Sequence, residues 1–511
     1  MNLLRTLSAV SALTLLSRIT GLMRESIKAL AFGAGVQMDA FEAAFRLPNI
    51  LRRLFAEGAF SQAFVPILAE YRRSRGEEAT RDLVGRAASL LAVTLIAISV
   101  LGVVAAPWLV YLLAGSFVRT PGKVELTAEL IRIMFPYVLF VSLVALAGGV
   151  MNVHRRFAIP AFTPVLLNLS IIAAAIFVAP HVDPPILALA IGVAAGGVVQ
   201  LAFQIWPLAR LGMLPHFKLD WRDQGVRRIL RAMGPAVLGV SAAQISTLIN
   251  TQLAAFLGNG RISWITYADR LMEFPSALLG VALATILLPH LSQHHHDAND
   301  RQYRELLDWG LRLTFILALP AALALALLAI PLVATLYQYG RFTAFDVLQT
   351  RAALLGYSVG LIGLIAVKIL APGFYARQDM KTPVRLAFVG LLVAQTLAVI
   401  LMFRIGHAGL TLATSVGASV NAALLYRAMR RRDIYRPLPG WGGFLLKIAV
   451  ALCVLGGVLW WVAGDDAFWL SAGLWAKVGR LAIVLAAGAI AYFGSLWLVG
   501  FRVADFDRRE S

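Results

Sequence analysis

The sequence is poor in charged residues and holds a single cysteine. Asp, Glu, Lys and Arg make up 14% of its 511 residues, against about 25% in a typical soluble domain. With Cys453 as its one cysteine, the chain cannot form an internal disulfide. It also lacks the glycine-rich Walker loop that cradles nucleotide phosphates, and it shows no convincing pairing of a nucleophile with a base. These absences indicate a protein that is not an enzyme and needs no cofactor.

Apolar residues are abundant instead, at 59% of the chain, and the mean hydropathy is +0.77. Apolar runs of about 20 residues, the length that spans a bilayer, recur along the sequence. The composition therefore predicts an all-α polytopic membrane protein whose first segment is retained, since Arg18 and Arg24 interrupt the apolar core of a signal peptide. We predict fourteen transmembrane helices at roughly 7–32, 37–70, 87–116, 127–152, 159–180, 185–208, 228–257, 263–291, 306–338, 347–371, 384–403, 408–429, 442–463 and 476–500.

The positive charge of the chain follows the membrane topology. A net charge of +19 could indicate nucleic-acid binding, but the basic residues fall in short loops between apolar helices. Alternate loops are rich in Arg, as in 72–86 and 427–436, while the loops between them hold few cations. This positive-inside pattern predicts cytoplasmic termini and excludes nucleic acid as a partner.

Short motifs recur at an offset of 219 to 224 residues. Ala44-Phe45-Arg46-Leu47 matches Ala268-Asp269-Arg270-Leu271, and Thr163-Pro164-Val165 matches Thr382-Pro383-Val384. A repeat of six helices gives two lobes of equal membrane orientation, and transporters of this kind bind their substrate between the lobes near mid-membrane. We predict an N-terminal lobe over 1–215, a C-terminal lobe over 216–436, and a final helix pair with a tail over 437–511.

Charged residues interrupt the predicted membrane helices in stripes. The second helix carries Asp39, Glu42, Arg46, Asn49, Arg53 and Glu57 at spacings of three and four, which place them on one face, with Arg52 beside them. Similar stripes occur in the first and eighth helices. Their members are Ser11, Thr14, Arg18, Gly21, Glu25 and Lys28, with Arg24 to one side, and Thr266, Asp269, Arg270 and Glu273. The three stripes predict a central, water-filled cavity.

Two interpretations of these charges compete. In the first, they pair with one another and join helices, for example Arg24 with Asp39 or Arg53 with Glu57, and Glu25, Lys28 and Glu42 snorkel to an interface. In the second, Arg18, Arg24, Arg52 and Arg270 bind an anion. The planar arginine fork holds phosphate oxygens in pairs, so an arginine cluster favours a diphosphate. We prefer the second interpretation for these four arginines.

Other polar residues give weaker signals. His290 and His294 have metal-ligand spacing, but a polar helix end explains them better, and we predict no metal site. Lys368 lies within an apolar helix, where it faces either the cavity or the inner loop. Gln244, Ser246 and Asn250 on the seventh helix are ion ligands only as a minor alternative.

Several long motifs resemble the MurJ (MviN) family. They are the opening Met1-Asn2-Leu3-Leu4, Ser17-Arg18 with Arg24, the continuous run from Arg46 to Pro66, the run from Tyr267 to Pro275, and the run from Leu370 to Pro383. The resemblance covers nearly the whole chain. MurJ proteins are bacterial lipid II flippases of peptidoglycan synthesis, in a superfamily that also includes MATE-type multidrug exporters.

The resemblance implies fourteen helices in two six-helix lobes plus a final pair that helps to bind the prenyl tail, and transport by alternating access. It also implies that the critical cavity charges are Arg18, Arg24, Asp39, Arg52, Arg53, Glu57 and Arg270. We expect the arginines, including Arg53, to bind substrate. The residues expected to orient them are Asp39, Glu57, Arg46, Asp269 and Glu273.

The expected function is export of the diphosphate-linked head of lipid II across the bacterial cytoplasmic membrane, for cell-wall biogenesis and cell shape. The expected partners are lipid II, membrane lipids and other cell-wall synthesis proteins, and the expected state is a monomer. The coupling source, sodium or the membrane potential, stays open. The alternatives are a flippase for another polyprenyl-diphosphate glycan, a MATE-like exporter, and a scaffold that transports nothing; drug exporters for cationic cargo need acidic rather than arginine-rich cavities.

Overall fold

A computed structural model describes residues 3–54, 59–277 and 300–501, and every regular element in these ranges is a helix. The chain forms two compact units, Met1–Ser263 and Trp264–Ser511. The helical elements confirm the predicted all-α fold. The lobe boundaries at 215 and 436 rest on the sequence repeat and stay a prediction.

The first unit contains nine α-helices, counted over its described residues. They are α1 (Leu3–Phe32), α2 (Val36–Arg52), α3 (Ala59–Val104), α4 (Ala106–Ala114), α5 (Lys123–Met134), α6 (Tyr137–Val153), α7 (Ala158–Ala173), α8 (Leu187–Arg210) and α9 (Gln224–Phe256). A buried apolar cluster on α3, α6 and α9 forms a core, with Phe64, Leu68 and Val150 among its fully enclosed side chains. The α9 helix therefore packs with the first unit.

The second unit begins at Trp264, within α10, which is helical over 261–277. Its later helices are α11 (Asp300–Leu327), α12 (Ala329–Tyr337), α13 (Ala344–Tyr375), α14 (Lys381–Ile405), α15 (His407–Arg431), α16 (Trp441–Ala463), α17 (Asp466–Ser471) and α18 (Leu474–Leu498). The α13 and α15 helices make the most extensive helix pair of this unit. A β-carbon on Gly360 of α13 would lie 2.4 Å from the Cα of Ser415 on α15. Small residues thus allow the two backbones to approach closely, as membrane helices do.

The element order repeats along the chain, as the motif spacing predicts. The nine-residue helices α4 and α12 each follow a one-residue interruption, at Ala105 and Leu328, and each has a proline in its first turn, Pro107 and Pro331. Later helices also correspond in order, α7 to α14 and α8 to α15, and the second of these pairs is matched in length at 24 and 25 residues. Both copies of the repeat therefore fold in the same local way.

Within the described residues, ten helices are long and apolar enough to cross a membrane. They correspond to ten of the fourteen predicted spans. The remaining four predictions are the charged helices at 7–32 and 37–70 and those at 228–257 and 263–291; the last extends past 277, outside the described ranges. The count of fourteen thus stays a prediction.

Several predicted helix boundaries were wrong. The predicted inner loop after residue 70 is helical, and α3 is interrupted only at Gly76, whose φ of 80° is left-handed and suits glycine. The predicted helix at 87–116 is broken at Ala105, and the one at 127–152 is broken at Phe135 and Pro136. The helix predicted to run from 37 to 70 includes α2, which passes through Pro48 and ends at Arg52, but residues 55–58 lie outside the described ranges, so its continuity stays a prediction.

Candidate functional site

In the first unit, Arg24 of α1 is held by two neighbours. Its Nε and Nη2 donate to Glu25, with an Nε–Oε1 distance of 3.1 Å, and its Nη1 donates to Oδ1 of Asn168 on α7 at 2.9 Å. The Asn168 amide in turn donates to Thr20 Oγ1 and to the Ser17 carbonyl, both at 3.1 Å. These bonds fix the plane of the guanidinium and join α1 to α7. Glu25, rather than the predicted Asp39, is the carboxylate partner of Arg24.

Glu25 also pairs with Lys28, which in turn pairs with Glu42. Lys28 Nζ donates to Glu25 Oε2 at 2.9 Å and to Glu42 of α2, and it lies 5.3 Å from the ring centroid of Phe41. Glu25, Lys28 and Glu42 are all buried. The prediction that these three snorkel to an interface was therefore wrong. With Arg24, they form a set of two cations and two anions, whose mutual neutralisation offsets the cost of burial.

Asp39 of α2 is the most enclosed charge of the first unit. Its Oδ1 accepts from the Ser263 amide at 2.9 Å and from the Ser263 hydroxyl at 2.7 Å. Its Oδ2 accepts from the Gly260 amide at 2.6 Å and from Lys123 Nζ at 3.3 Å. Asp39 has 0% and Lys123 1% of its surface exposed. The carboxylate thus holds the turn before α10 against α2, and its role in orienting the cavity arginines stays a prediction.

Lys123, the ion-pair partner of Asp39, is a residue of this buried group that the sequence did not predict. It is the first residue of α5. Its ammonium also donates to Asn259 Oδ1 at 2.8 Å and lies 3.9 Å from the centroid of the Phe117 ring. Spacing along α2 places Asp39 on a face, but it carries no information about a cation 84 residues away.

The remaining arginines of α1 and α2 are more accessible than this buried group. Arg18 is exposed, whereas Arg46, Arg52 and Arg53 are half-buried. Arg52 donates from Nε and Nη2 to the side chain of Asn49 one turn earlier, at 3.2 and 2.9 Å. This contact orients a guanidinium that still has surface to offer a ligand.

Glu57, predicted to orient the arginines and to pair with Arg53, lies outside the described residues. His290 and His294, the candidate metal ligands, do so as well. In the part of the chain that the structure describes, no group of three or more His, Cys, Asp or Glu side chains is placed to hold a metal ion. Gln244 and Asn250 lie on α9, and their role as ion ligands stays a prediction.

In the second unit, the polar stripe of α10 contains an ion pair. Arg270 Nη1 donates to Glu273 Oε2 at 2.8 Å, and 29% of the arginine side chain remains exposed. Asp269 beside it is half-buried. Lys368 of α13 donates to the carbonyl and hydroxyl of Ser276, at 2.8 and 3.0 Å, so it faces α10. Glu273 therefore contacts Arg270 within the stripe, and the role of both residues in a substrate cavity stays a prediction.

Known proteins match the chain over its length. The family model described as lipid II flippase MurJ matches residues 28–475. A lipid II flippase MurJ of Burkholderia cenocepacia is 50% identical over 514 residues, covering 100% of both chains. A probable lipid II flippase MurJ of Vibrio cholerae is 42% identical over 513 residues, covering 99% of this chain and 97% of that protein.

Two solved structures share the fold. One is titled lipid II flippase MurJ, inward closed conformation; it has a TM-score of 0.81 at 23% identity and covers 96% of this chain and 98% of that one. The other is an inward-facing MATE-family multidrug transporter of the MOP superfamily, with a TM-score of 0.72 at 15% identity. It covers 83% of this chain and 98% of that chain. At these identities the likeness concerns the fold alone.

Proposed function

The chain belongs to the MurJ family, and from this membership we propose that it is a lipid II flippase. It moves the diphosphate–sugar–peptide head of lipid II from the cytoplasmic to the periplasmic leaflet by alternating access. The observation that carries the proposal is the 50% identity, over the full length of both chains, to a protein named lipid II flippase MurJ. A transporter of this kind forms and breaks no covalent bond.

We assign binding of the diphosphate to Arg18, Arg24 and Arg52 in the first unit and to Arg270 in the second. Arg53, which directly follows Arg52 at the end of α2 and is also half-buried, is assigned a supporting contact. The bonds that fix Arg24, Arg52 and Arg270 support this role, because a guanidinium that is already oriented loses less entropy when it binds an oxyanion. Lysine would keep the charge but not the paired donors.

We assign the buried acidic residues of the first unit a role in holding its helices together. Glu25 and Glu42 neutralise Arg24 and Lys28, which keeps α1 and α2 together without adding positive charge. Asp39 and Lys123 hold α2 and α5 to the 257–260 turn and to Ser263 at the start of α10. We propose that these contacts must break and re-form when the protein changes conformation. Such an arrangement confines the energetic cost of switching to a few bonds.

The membrane setting follows from the ten apolar helices and the loop charges. We propose that the protein lies in the bacterial cytoplasmic membrane with both termini in the cytoplasm, as the positive-inside pattern indicates. The prenyl tail stays in the bilayer, in contact with the final pair α16 and α18, while the head crosses. An inside-negative potential favours outward movement of an anion by about 2.3 kcal/mol per charge per 100 mV.

The proposal is tested with purified protein in liposomes that contain fluorescent lipid II. Translocation is measured as the fraction of head groups accessible to an impermeant quencher, with and without an imposed potential and with and without sodium. We expect protein-dependent translocation of lipid II. The four combinations of potential and sodium identify the coupling source.

A lipid with the same tail but a different diphosphate-linked glycan serves as the matched substrate control. Faster translocation of that lipid than of lipid II would refute the assignment and favour the alternative polyprenyl-diphosphate flippase. No protein-dependent translocation of either lipid in any of the four conditions would refute transport itself.

A further inference from the structure

A cavity of about 600 Å³ opens in the second unit, away from the charged stripe of α10. It lies among the first half of α11, the 432–440 loop, the start of α16 and the end of α18. Its polar lining includes Asp308, Arg312 and Lys447, and its aromatic lining includes Trp309, Phe444 and Phe501. This volume falls within the roughly 300–1,000 Å³ of small-ligand sites.

Asp308, the buried acidic residue of the cavity lining, accepts hydrogen bonds from protein donors on both carboxylate oxygens. Asp308 Oδ1 accepts from the Trp441 indole at 2.8 Å, the Leu438 amide at 3.1 Å and the Tyr435 hydroxyl at 2.5 Å. Its Oδ2 accepts from Arg312 Nε at 2.7 Å. Asp308 therefore joins α11 to the 435–441 segment, and Arg312 balances its charge.

Arg312 and Lys447, the two cationic residues of the lining, can still bind an anion. Arg312 uses Nε for Asp308 and Nη2 for the Pro439 carbonyl, at 2.9 Å, and within the described residues its Nη1 has no protein acceptor. Lys447 has no carboxylate partner in the described ranges; its ammonium lies 5.4 Å from the centroid of the Phe501 ring. Glu305 at the rim is paired with Arg301 at 3.0 Å. Among the residues that the structure describes around the cavity, Lys447 is thus the one positive charge without an acidic partner, which matches a monoanion.

A separate apolar groove lies further along α11 and α16, the helices that also line the cavity. It is lined by Leu319 and Leu323 of α11, Val359 and Ile362 of α13, and Leu452 of α16. Leu319 follows Arg312 by seven residues, which corresponds to roughly 10 Å along a helix. A ligand that fills both features has an anionic head and a long apolar chain, so a lipid fits the pair better than free phosphate does.

We propose that this cavity binds the phosphodiester head of a monoanionic glycerophospholipid, such as phosphatidylglycerol, from the cytoplasmic leaflet. Lys447 and Arg312 Nη1 contact the phosphate, the aromatic residues surround the glycerol region, and one acyl chain follows the groove. Basic pockets between membrane helices on the cytoplasmic side bind such heads. The choice of leaflet rests on the proposed orientation of the chain; the binding itself does not depend on transport.

The test is native mass spectrometry of the purified full-length protein with equal mole fractions of phosphatidylglycerol and phosphatidylcholine. We expect the wild type to retain phosphatidylglycerol preferentially and Lys447→Gln to lose about fivefold of that preference, the contribution of one surface lysine. Lys381→Gln is the matched control, because this exposed lysine at the start of α14 lies outside the cavity. Equal retention of the two lipids by the wild type would overturn the proposal.

Thermal unfolding in detergent supplies a second readout on the same three proteins. Added phosphatidylglycerol should raise the unfolding temperature of the wild type and of Lys381→Gln more than that of Lys447→Gln. Inorganic phosphate that stabilises equally well would show an anion site with no lipid specificity, and stronger retention of undecaprenyl phosphate would show a prenyl-lipid site. Either result overturns the glycerophospholipid assignment. The proposed lipid II transport is tested separately, by the translocation assay.

Discussion

Lys123 and Asp39 form an ion pair with almost no contact with solvent, although 84 residues separate them in the chain. The carboxylate also accepts three hydrogen bonds from Gly260 and Ser263. Removing two charges from water costs more than their attraction returns unless further hydrogen bonds satisfy them. The Gly260 and Ser263 bonds supply that satisfaction, so the pair and the turn before α10 depend on one another.

Replacing Lys123 by Met should destabilise the protein by about 3–5 kcal/mol, because it leaves the Asp39 carboxylate buried without its ion-pair partner. The double variant Lys123→Met with Asp39→Asn should recover part of this loss, since no isolated charge remains. The measurement is the thermal unfolding of each purified variant in one detergent.

Lys218→Met is the control for that experiment. Lys218 pairs with Asp82 at 2.9 Å, but both side chains are about half exposed. Breaking an exposed pair of this kind costs about 0–1 kcal/mol. If the Lys123 and Lys218 variants unfold at the same temperature, the buried pair does not have the role described here.

Replacing Arg52 or Arg270 by Lys should abolish complementation of a strain that lacks its own lipid II flippase. Lys keeps the charge but cannot present the paired donors that fit a diphosphate, and a lost charge-assisted hydrogen bond is worth about 1.5–3 kcal/mol. Lipid II binding to the purified variants should therefore fall about tenfold or more. Arg301→Lys, at a side chain that is 90% exposed, is the control and should complement normally. Normal growth with Lys at both test positions would disprove the paired-donor assignment.

Replacing Gly360 by Ala should destabilise the second unit by about 1–3 kcal/mol. The added carbon would lie 2.4 Å from the Cα of Ser415, so the α13 and α15 backbones must separate. Gly457→Ala is matched to it, since this glycine of α16 has no atom within 4 Å of the added carbon, and it should gain about 0.5–1 kcal/mol from reduced chain entropy. Chemical unfolding of the two variants separates the effects, and a stable Gly360→Ala protein would contradict the close packing.

The sequence predicted the fold class and the polar stripes because both depend on periodicity within single helices. The structure extends the repeat to Pro107 of α4 and Pro331 of α12, since both lie in the first turn of a nine-residue helix. Helix ends were predicted less well. Gly76 interrupts an α-helix that charge composition alone suggested was a loop.

The partners of the charged residues could not be predicted from spacing. Helical spacing shows that Asp39 and Glu42 share a face of α2, but Asp39 pairs with Lys123 of α5 and Glu42 with Lys28 of α1. Those choices depend on tertiary packing. The near balance of cations and anions in 24–42 was the available signal that these charges neutralise one another, and snorkelling was inferred instead.

Acid should weaken the connection between α13 and α14 through Asp379. Its carboxylate accepts from the Thr382 amide at 3.0 Å, from the Thr382 hydroxyl at 2.6 Å and from Arg432 at 2.6 Å. The Thr382 hydrogen bonds first, and then Arg432, hold the pKa of Asp379 below its ordinary value of 3.8. A carboxyl whose pKa is lower in the folded state contributes stability that is fully present above the unfolded value and is lost as the pH falls through the folded value.

The wild type should therefore lose stability more steeply than Asp379→Asn as the pH is lowered from about 5 towards 3, while the asparagine variant is the less stable of the two at pH 7. Thermal unfolding at a series of pH values in one detergent measures the difference. Asp466→Asn is the control, because this exposed residue in the first turn of α17 makes no ion pair in the described ranges. Its pH profile should parallel that of the wild type. Parallel profiles for Asp379→Asn and the wild type would instead show that Thr382 and Arg432 bind the charged and neutral carboxyl equally well, and the acid sensitivity would then have to come from other carboxylates.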